Sequence, residues 1–334
     1  LAKRGLHLVD ELEERERTGF TIELLQVRYA ARRPDYEETA GRLQELTERA
    51  LDLGLTRHAR LGFHVLSYLR WESGSMAAAH EHMMQAERLS RTGDSHERAS
   101  ALAEAAKCLV LLERNLEQAE AFVLEADALG ERHSKPYQAT PFARGMLLEH
   151  RGKLDAAYDD YQESARLSRQ QGDRLAEFLA HEHQVMLSID RRRHASAIEL
   201  ASELVVLGER VRAGSEAPCS RALLALSKWL KGEDVAAELD AATADLRNAD
   251  AKARLSFLLS RRAEVELERG LEVAAREHAR DALVQAIAID RPSEMALSHC
   301  VLAQLANGNG DEEILDKHVE ELRILRNRDV SLLS

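Results

Sequence analysis

Residues 142–168 read FARGMLLEHRGKLDAAYDDYQESARLS, and this stretch decides the fold. A helical pattern ends near Gly152, a short turn follows, and a second helical pattern begins at Leu154. Gly145 and Ala157 are small residues, one in each segment, at which two antiparallel helices can approach closely. The stretch therefore predicts a helical hairpin.

The composition extends this prediction to the whole chain. Its 334 residues are 45% hydrophobic and 31% charged, with 4% aromatic residues and five prolines. Ala, Leu, Glu and Arg dominate, and all four are strong helix formers. Because single cores stop growing at about 250–300 residues, the chain is predicted to be several domains or one elongated array. The fold class is predicted to be all-α.

The hairpin recurs at a regular spacing along the chain. An anchor alanine stands near the start of each second helix, at Ala79, Ala119, Ala157, Ala197, Ala237 and Ala274, with intervals of 40, 38, 40, 40 and 37 residues. A turn residue precedes most of the anchors, at Gly74, Asn115, Gly152, Gly232 and Gly270. Seven positions after the anchors stand Ala86, Ala126, Ser164, Leu204 and Ala244, whereas Asp281 breaks this row beside Ala282.

One further period in each direction reaches Ala40 and Ile314, which gives about eight helix pairs. A spacing this regular does not arise from helix propensity, so it indicates a repeat architecture. A single pair cannot bury its apolar face alone, and stacking against neighbouring pairs buries it.

Three copies carry a family resemblance. Gly145…Gly152-Lys-Leu-Asp-Ala-Ala157-Tyr…Ala165, Arg114-Asn-Leu-Glu-Gln-Ala119-Glu and Gly270-Leu-Glu-Val-Ala274 resemble the tetratricopeptide repeat. The usual repeat has about 34 residues. The longer form here resembles the sensor arrays of bacterial signal-transduction ATPases with numerous domains. The opening Arg4-Gly-Leu-His-Leu-Val-Asp-Glu-Leu also looks like the start of such an array. The resemblance covers roughly residues 1–325 and implies a right-handed superhelical solenoid of antiparallel helix pairs.

The predicted domain organisation has three parts. Residues 1–18 form a leading helix, interpreted as the remnant of a preceding repeat, residues 19–325 form the array, and residues 326–334 form a tail. Within the array, the first helix is predicted from Thr21 to Arg32. Because the chain starts at Leu1 and not at Met, it is predicted to be a fragment of a longer protein. No G-x-x-x-x-G-K-[ST] loop occurs, so ATP hydrolysis is not predicted for this portion.

Charge and cysteine usage exclude several function classes. A net charge of −12 and a pI near 5.7 argue against nucleic-acid binding, which needs clustered basic surface. Cys108, Cys219 and Cys300 are far apart and lie among apolar helical residues, so neither disulfides nor a zinc site is predicted. No apolar run reaches the roughly 20 residues of a membrane span and no signal peptide is visible, so a cytoplasmic location is predicted.

No catalytic constellation is predicted. His80 and His82 lie two residues apart, as do His181 and His183, and a two-residue step on a helix turns each pair apart. The H-E-x-x-H motif of helical zinc sites and the G-x-S-x-G elbow of hydrolases are both absent. The sequence therefore predicts no catalytic residue, no metal site and no cofactor.

The remaining candidate is a binding surface on the first helices, which line the concave side of superhelical arrays. In the tetratricopeptide register, groove-facing residues lie fifteen, eleven and eight positions before each anchor, on one helix face. We call this set the groove stripe: His64, Tyr68, Trp71; Glu104, Cys108, Leu111; Phe142, Met146, Glu149; Glu182, Met186, Ile189; and Ala222, Leu226, Trp229. The predicted binding residues among them are His64, Tyr68, Trp71, Glu104, Phe142, Met146, Glu149, Glu182, Met186 and Trp229.

An alternative register remains open. If the tetratricopeptide register used above is off by one position, the groove stripe packs onto the second helices and binds nothing. Arg70, Lys107, Arg144 and Lys228 favour this alternative, because they occupy positions that the usual repeat buries. The basic clamp by which chaperone-binding members of the family hold acidic peptide ends is not recognisable.

Three hypotheses about function follow. The first is a non-catalytic repeat domain that binds a protein segment or a small effector, as the sensor or scaffold part of a larger bacterial signalling or transcription regulator. The second is a self-associating structural scaffold, which makes a homo-oligomer. The third is an enzyme with an unrecognised site between helices, which the missing motifs disfavour.

Overall fold

The computed structural model describes residues 13–30, 36–72, 75–133, 137–211 and 214–326. These residues contain sixteen helices and no strand, so the predicted all-α class and the eight helix pairs are confirmed. The helices are α1 (Glu14–Ala30), α2 (Tyr36–Asp52), α3 (Thr56–Glu72), α4 (Met76–Ser90), α5 (Ser95–Leu111), α6 (Leu116–His133), α7 (Ala139–His150), α8 (Leu154–Gln171), α9 (Arg174–Asp190), α10 (His194–Val211), α11 (Glu216–Lys231), α12 (Ala236–Asn248), α13 (Lys252–Glu268), α14 (Glu272–Ala288), α15 (Pro292–Gly308) and α16 (Glu312–Arg326). Odd-numbered helices from α3 onward are the first helices of the predicted pairs.

The chain divides into two compact units. The first comprises Leu1–Leu109 and Glu117–Ala143, and the second comprises Val110–Leu116 and Arg144–Ser334. Helices adjacent in sequence pack against each other from α1 to α4 in the first unit and from α8 to α16 in the second, as short connections between antiparallel helices require. In the second unit, successive first helices also touch, α9 with α11, α11 with α13 and α13 with α15.

The breaks between successive helix pairs have the local chemistry of helix ends. Gly172 ends α8 with φ 74°, a left-handed conformation that glycine adopts at little cost. The next residue, Asp173, caps α9 by accepting a hydrogen bond from the Ala176 backbone N–H at 3.0 Å. Asp94 accepts a bond from the Glu97 N–H at 2.8 Å at the start of α5. Gly172 and Asp173 therefore end one helix and begin the next, whereas at Gly93 and Asp94 the helix α4 has already ended at Ser90 and Asp94 caps the following helix.

The anchor positions form the core between helices. Five predicted anchors are buried, namely Ala40, Ala79, Ala119, Ala157 and Ala197. Gly145 makes the close approach possible in the quoted hairpin, because a Cβ there would lie 2.9 Å from the Tyr161 ring and 3.3 Å from the Ala157 carbonyl oxygen. Seven positions after these anchors, Thr47, Ala86, Ala126, Ser164 and Leu204 are buried as well.

The predicted anchors Ala237 and Ala274 are wrong. Ala237 is exposed and Ala274 is only partly buried, whereas Leu239 and Ala275 are completely buried. The reason is where the helices begin, because the buried anchor is the fourth residue of each second helix from α4 to α14. With this correction, the positions seven residues later are Leu246 and Ala282, both buried, and the break at Asp281 disappears.

The corrected register predicts that only one of two adjacent alanines of α14 is sensitive to substitution. Ala275→Leu is expected to lower the free energy of unfolding by about 1–3 kcal/mol, because extra methyl groups overpack a fully buried position. Ala274→Leu should change it by less than about 0.5 kcal/mol. Urea unfolding of both variants measures the difference, and a larger loss for Ala274→Leu would restore the uncorrected register.

The beginning of the array differs from its prediction. Helix α1 begins at Glu14 and not at Thr21, because the charged run 14–17 consists of good helix formers with acidic side chains in the first turn. Most of the predicted leading helix, residues 1–12, lies outside the described residues. The division into residues 1–18, 19–325 and 326–334 stays a prediction.

Candidate functional site

The solvent exposure of the groove-stripe residues differs from one first helix to the next. On α3, His64, Tyr68 and Trp71 are all partly exposed. On α5 to α11 the stripe residues Glu104, Cys108, Phe142, Met146, Glu182, Ile189, Ala222, Leu226 and Trp229 are buried, and only Leu111, Glu149 and Met186 keep partial exposure. Of the five stripe helices, α3 is therefore the one whose full predicted set is accessible.

In the first unit, a polar cluster forms around one buried carboxylate. The Tyr68 hydroxyl donates a hydrogen bond to Glu104 Oε2 at 2.5 Å, and Lys107 Nζ lies 3.4 Å from the same oxygen. The Tyr137 hydroxyl lies 3.4 Å from Glu104 Oε1. The Lys107 ammonium stands over two ring faces, with centroids at 4.9 Å for Tyr68 and 5.5 Å for Phe142. We call His64, Tyr68, Glu104, Lys107, Tyr137 and Phe142 the Glu104 cluster.

Protonation in the cluster follows from its burial and charges. Burial opposes the charged form of Glu104, but Lys107, His64 and the Tyr68 hydroxyl outweigh it and hold the pKa of this carboxyl below its usual value. Burial also lowers the pKa of His64, whose ring packs edge-on against Tyr68. At neutral pH the cluster therefore contains a carboxylate and a neutral imidazole.

The groove stripe predicted four members of the cluster and missed two. Lys107 follows Glu104 by three residues on α5, a spacing that places two side chains on one helix face. Its charge at a normally buried position was a usable signal. Tyr137 comes from the segment before α7, outside the repeat register, and no periodic pattern pointed to it. Whether these residues bind a ligand stays a prediction.

In the second unit, the predicted polar residue Glu182 already has a partner. Arg254 of α13 donates to both oxygens of Glu182 of α9, Nε at 2.7 Å and Nη2 at 2.8 Å. Its Nη1 also donates to Ser215 Oγ at 2.5 Å and lies 3.2 Å from a Glu216 oxygen. Burial disfavours the charged Glu182, yet Arg254 outweighs this and lowers the pKa of the carboxyl. Glu182 is therefore the acceptor of a bidentate ion pair within the protein.

Further along the same helices, a second arginine repeats this arrangement. Arg261 of α13 donates to Asp190 of α9 through Nε at 2.9 Å and Nη2 at 3.0 Å, and it also pairs with Glu294 of α15. Its guanidinium lies 4.0 Å from the centre of the Phe257 ring. Side chains of α13 thus join α9 and α15 by buried charge pairs.

The other stripe residues of the second unit pack against neighbouring helices. Glu149 accepts a hydrogen bond at 2.5 Å from the hydroxyl of Tyr161, which belongs to the second helix of the same pair. Trp229 lies in the main core of the unit, and the Arg269 guanidinium stands 4.1 Å from its ring centre. For these two residues the contacts match the alternative register, in which the stripe packs internally.

A small cleft in the second unit collects several stripe residues. Its empty volume is about 210 Å³ with the solvent at its open mouth included, but the cavity that a water molecule can occupy is only about 10 Å³. The lining is Glu182, Met186, Cys219, Ala222, Leu223, Leu246, Arg254, Phe257 and Leu258. Most of these side chains are apolar, and the two charged ones form the ion pair described above. The cleft is smaller than typical ligand pockets, which usually enclose several hundred cubic ångströms.

The cysteine and metal-ligating residues of the described ranges lack the features of reactive centres. Burial raises the pKa of the Cys108 thiol to about 11. Burial also raises the pKa of Cys219 well above its usual value, so both thiols stay protonated. No group of three or more His, Cys, Asp or Glu side chains in these ranges is placed to hold a metal ion. Within the same part of the chain, no helix is long and apolar enough to cross a membrane.

Comparison with known proteins places the fold. No protein-family model matches the chain, and no curated protein matches it in sequence. The crystal structure of a Rap protein complexed with competence and sporulation factor superposes with a TM-score of 0.69 at 11% identity, covering 96% of this chain and 89% of that one.

A signal-transduction ATPase with numerous domains from Pyrococcus horikoshii, which has a tetratricopeptide repeat sensor, superposes with a TM-score of 0.52 at 14% identity. The match covers 97% of this chain and 51% of that one, so the chain corresponds to about half of the ATPase. Both likenesses concern the fold, and they agree with the helix pairs described above. The chain therefore has the fold of a tetratricopeptide-like array of helix pairs.

Proposed function

We propose that the chain is a non-catalytic repeat domain that binds a protein segment or a small effector on the first helices of its first unit. The carrying observation is the accessible face of α3, where His64, Tyr68 and Trp71 stand in one row. This row leads into the Glu104 cluster, which combines a buried carboxylate, an ammonium and aromatic rings. Aromatic faces with a few fixed polar groups are typical of sites that recognise peptides and small molecules.

The second unit is the weaker candidate for ligand binding. Glu182 and Asp190, its best-placed carboxylates, are each held by two hydrogen bonds from an arginine of α13. A ligand that used them would first break buried ion pairs, which costs several kcal/mol. We therefore assign recognition to the first unit.

The comparisons support a sensor or scaffold role. The Rap protein of similar fold was solved in complex with a competence and sporulation factor, and the ATPase of similar fold has a repeat sensor. By analogy, we propose that this chain is the sensor or scaffold part of a larger bacterial signalling or transcription regulator in the cytoplasm.

Selection of peptides tests this proposal. Random twelve-residue peptides displayed on phage are selected on the intact chain, and enriched sequences are titrated calorimetrically. Trp71→Ala and His64→Ala are expected to weaken binding at least tenfold, because both side chains lie on the accessible face of α3. Arg221→Ala, at an exposed position of the first helix α11, is the matched control and should bind as the wild type does. Unchanged affinity in both α3 variants would exclude this face.

Self-association is the second candidate function. Its specific observation is a set of apolar side chains exposed on second helices, Val206 on α10 and Val284 and Ile287 on α14. Sedimentation velocity between micromolar and hundred-micromolar protein decides the matter. A sedimentation coefficient that stays at the monomer value throughout would remove this alternative, whereas a rise with concentration would support it.

A further inference from the structure

The Glu104 cluster holds an ammonium group in a manner typical of cation receptors. The Lys107 nitrogen lies 4.9 Å from the centre of the Tyr68 ring and 5.5 Å from that of Phe142. At such distances the ring quadrupole attracts a cation. The Glu104 side chain, which is 10% exposed, supplies the counter-charge. Two ring faces and a buried carboxylate therefore surround one position for a positive charge.

This ammonium is held loosely. Among the described residues, the Tyr68 hydroxyl is the one short hydrogen-bond partner of the Glu104 carboxylate, at 2.5 Å, whereas Lys107 and Tyr137 both stand at 3.4 Å. A charged N–H···O hydrogen bond is normally about 2.7–2.9 Å long. A buried carboxylate is costly unless it is well paired. Glu104 therefore retains acceptor capacity for a cation that can approach more closely than Lys107 does.

The Lys107 ammonium is also able to leave its position beside Glu104. The Lys107 side chain is partly exposed, at 15%, and a lysine stem is flexible enough to move its ammonium into water. Through its members His64 and Tyr68, the cluster reaches the accessible face of α3. A net charge of −12 on the chain attracts cationic partners over long range.

We propose that the Glu104 cluster is a subsite for an ammonium group of the bound segment, a lysine side chain or an amino-terminal amine, which enters by exchange with Lys107. The inference rests on the proposed function, because it names the chemistry of the partner at that site. The Glu104 carboxylate accepts hydrogen bonds from the ammonium N–H groups of the bound segment, and the rings of Tyr68 and Phe142 face the cation.

Chemical complementation tests the subsite directly. Lys107→Ala removes three carbons and the nitrogen, which are the atoms of n-propylammonium. We expect n-propylammonium to raise the thermal unfolding midpoint of Lys107→Ala saturably and to bind at least tenfold more tightly than n-propanol. The double variant Lys107→Ala/Glu104→Gln should lose this preference. Lys228→Ala, which truncates a partly exposed lysine of α11, is the matched control and should show no saturable response. Equal binding of both probes to Lys107→Ala would overturn the proposal.

Peptides selected on the intact chain separate this proposal from the proposed function. Each lysine is replaced by norleucine, or the terminal amine is acetylated, and one of these changes is expected to weaken binding at least tenfold. Glu104→Gln should abolish that difference. If peptides bind equally well after both changes, the subsite is wrong and the proposed function stands. If no peptide binds although n-propylammonium binds Lys107→Ala, the proposed function fails, and with it the assignment of the ammonium to a partner.

Discussion

Arg254→Ala is expected to lower the free energy of unfolding by about 3–5 kcal/mol, the largest effect of any single substitution considered. The Arg254 guanidinium makes two short hydrogen bonds to Glu182, a residue that is 5% exposed, and it also contacts Ser215. Removing one partner of a buried ion pair leaves the other charge buried without compensation, and such a charge strongly destabilises the folded state. Urea unfolding followed by far-UV circular dichroism measures the loss.

Two variants check the cause of that loss. Arg221→Ala removes a guanidinium that is 43% exposed and pairs with Glu209 and Asp245, so it should cost less than about 1 kcal/mol. Adding Glu182→Gln to Arg254→Ala removes one of the two buried carboxylates that lose Arg254, the other being Glu216, so the double variant should be more stable than Arg254→Ala alone. Equal losses for Arg221→Ala and Arg254→Ala would mean that burial of the Glu182 pair does not matter.

The pH dependence has a definite sign. Because the pKa of Glu182 is lowered in the folded chain, the pair contributes stability above the pKa of an unfolded glutamate. That contribution is lost as the pH falls through the lowered folded value. The difference between wild type and Arg254→Ala should therefore be large at neutral pH and shrink in acid, and a difference independent of pH would contradict the ionic explanation.

The repeat could be predicted from the sequence because small residues at a fixed spacing are a local requirement of helix packing. Ala157, Gly145 and the turn at Gly152 lie within one hairpin. A buried alanine recurs as the fourth residue of α4, α6, α8, α10 and α14. The error at Ala274 arose because the adjacent Ala275 is equivalent in a pattern, and the error at Ala237 arose because the buried anchor there is a leucine, Leu239. Only the actual start of α12 and α14 selects Leu239 and Ala275.

The candidate site could be predicted only in part, for a different reason. Positions fifteen and eleven before the anchor placed Tyr68, Glu104 and Phe142 on neighbouring first helices, and the structure brings them into one cluster. The partner of Glu182 lies 72 residues away on α13. No periodicity relates these two positions, since the contact depends on how successive repeats stack. Patterns within helices therefore identified both carboxylates as candidates. They could not distinguish Glu104, which has one short hydrogen bond, from Glu182, which is held by a bidentate arginine.

Gly62→Ala is expected to lower the free energy of unfolding by about 2 kcal/mol, although alanine is the better helix former. A Cβ on Gly62 of α3 would lie 2.0 Å from the Thr47 hydroxyl oxygen and 3.0 Å from its Cβ. Thr47 cannot move aside easily, because it is completely buried and its hydroxyl donates to the Leu43 carbonyl at 2.7 Å. Overpacking of this kind costs about 1–3 kcal/mol, and urea unfolding measures it.

Gly41→Ala on the adjacent helix α2 is the matched control, since a Cβ there meets nothing within 4 Å. It should stabilise the chain by about 0.5–1 kcal/mol, the usual gain from removing a glycine inside a helix. Adding Thr47→Ala to Gly62→Ala removes the clashing hydroxyl, so part of the loss should return in a double-mutant cycle. If Gly62→Ala stabilised the chain as Gly41→Ala does, α2 and α3 would have to be farther apart than in the structure. The buried position seven residues after Ala40, which Thr47 occupies, would then not be a packing position, and the predicted repeat would fail at its first pair.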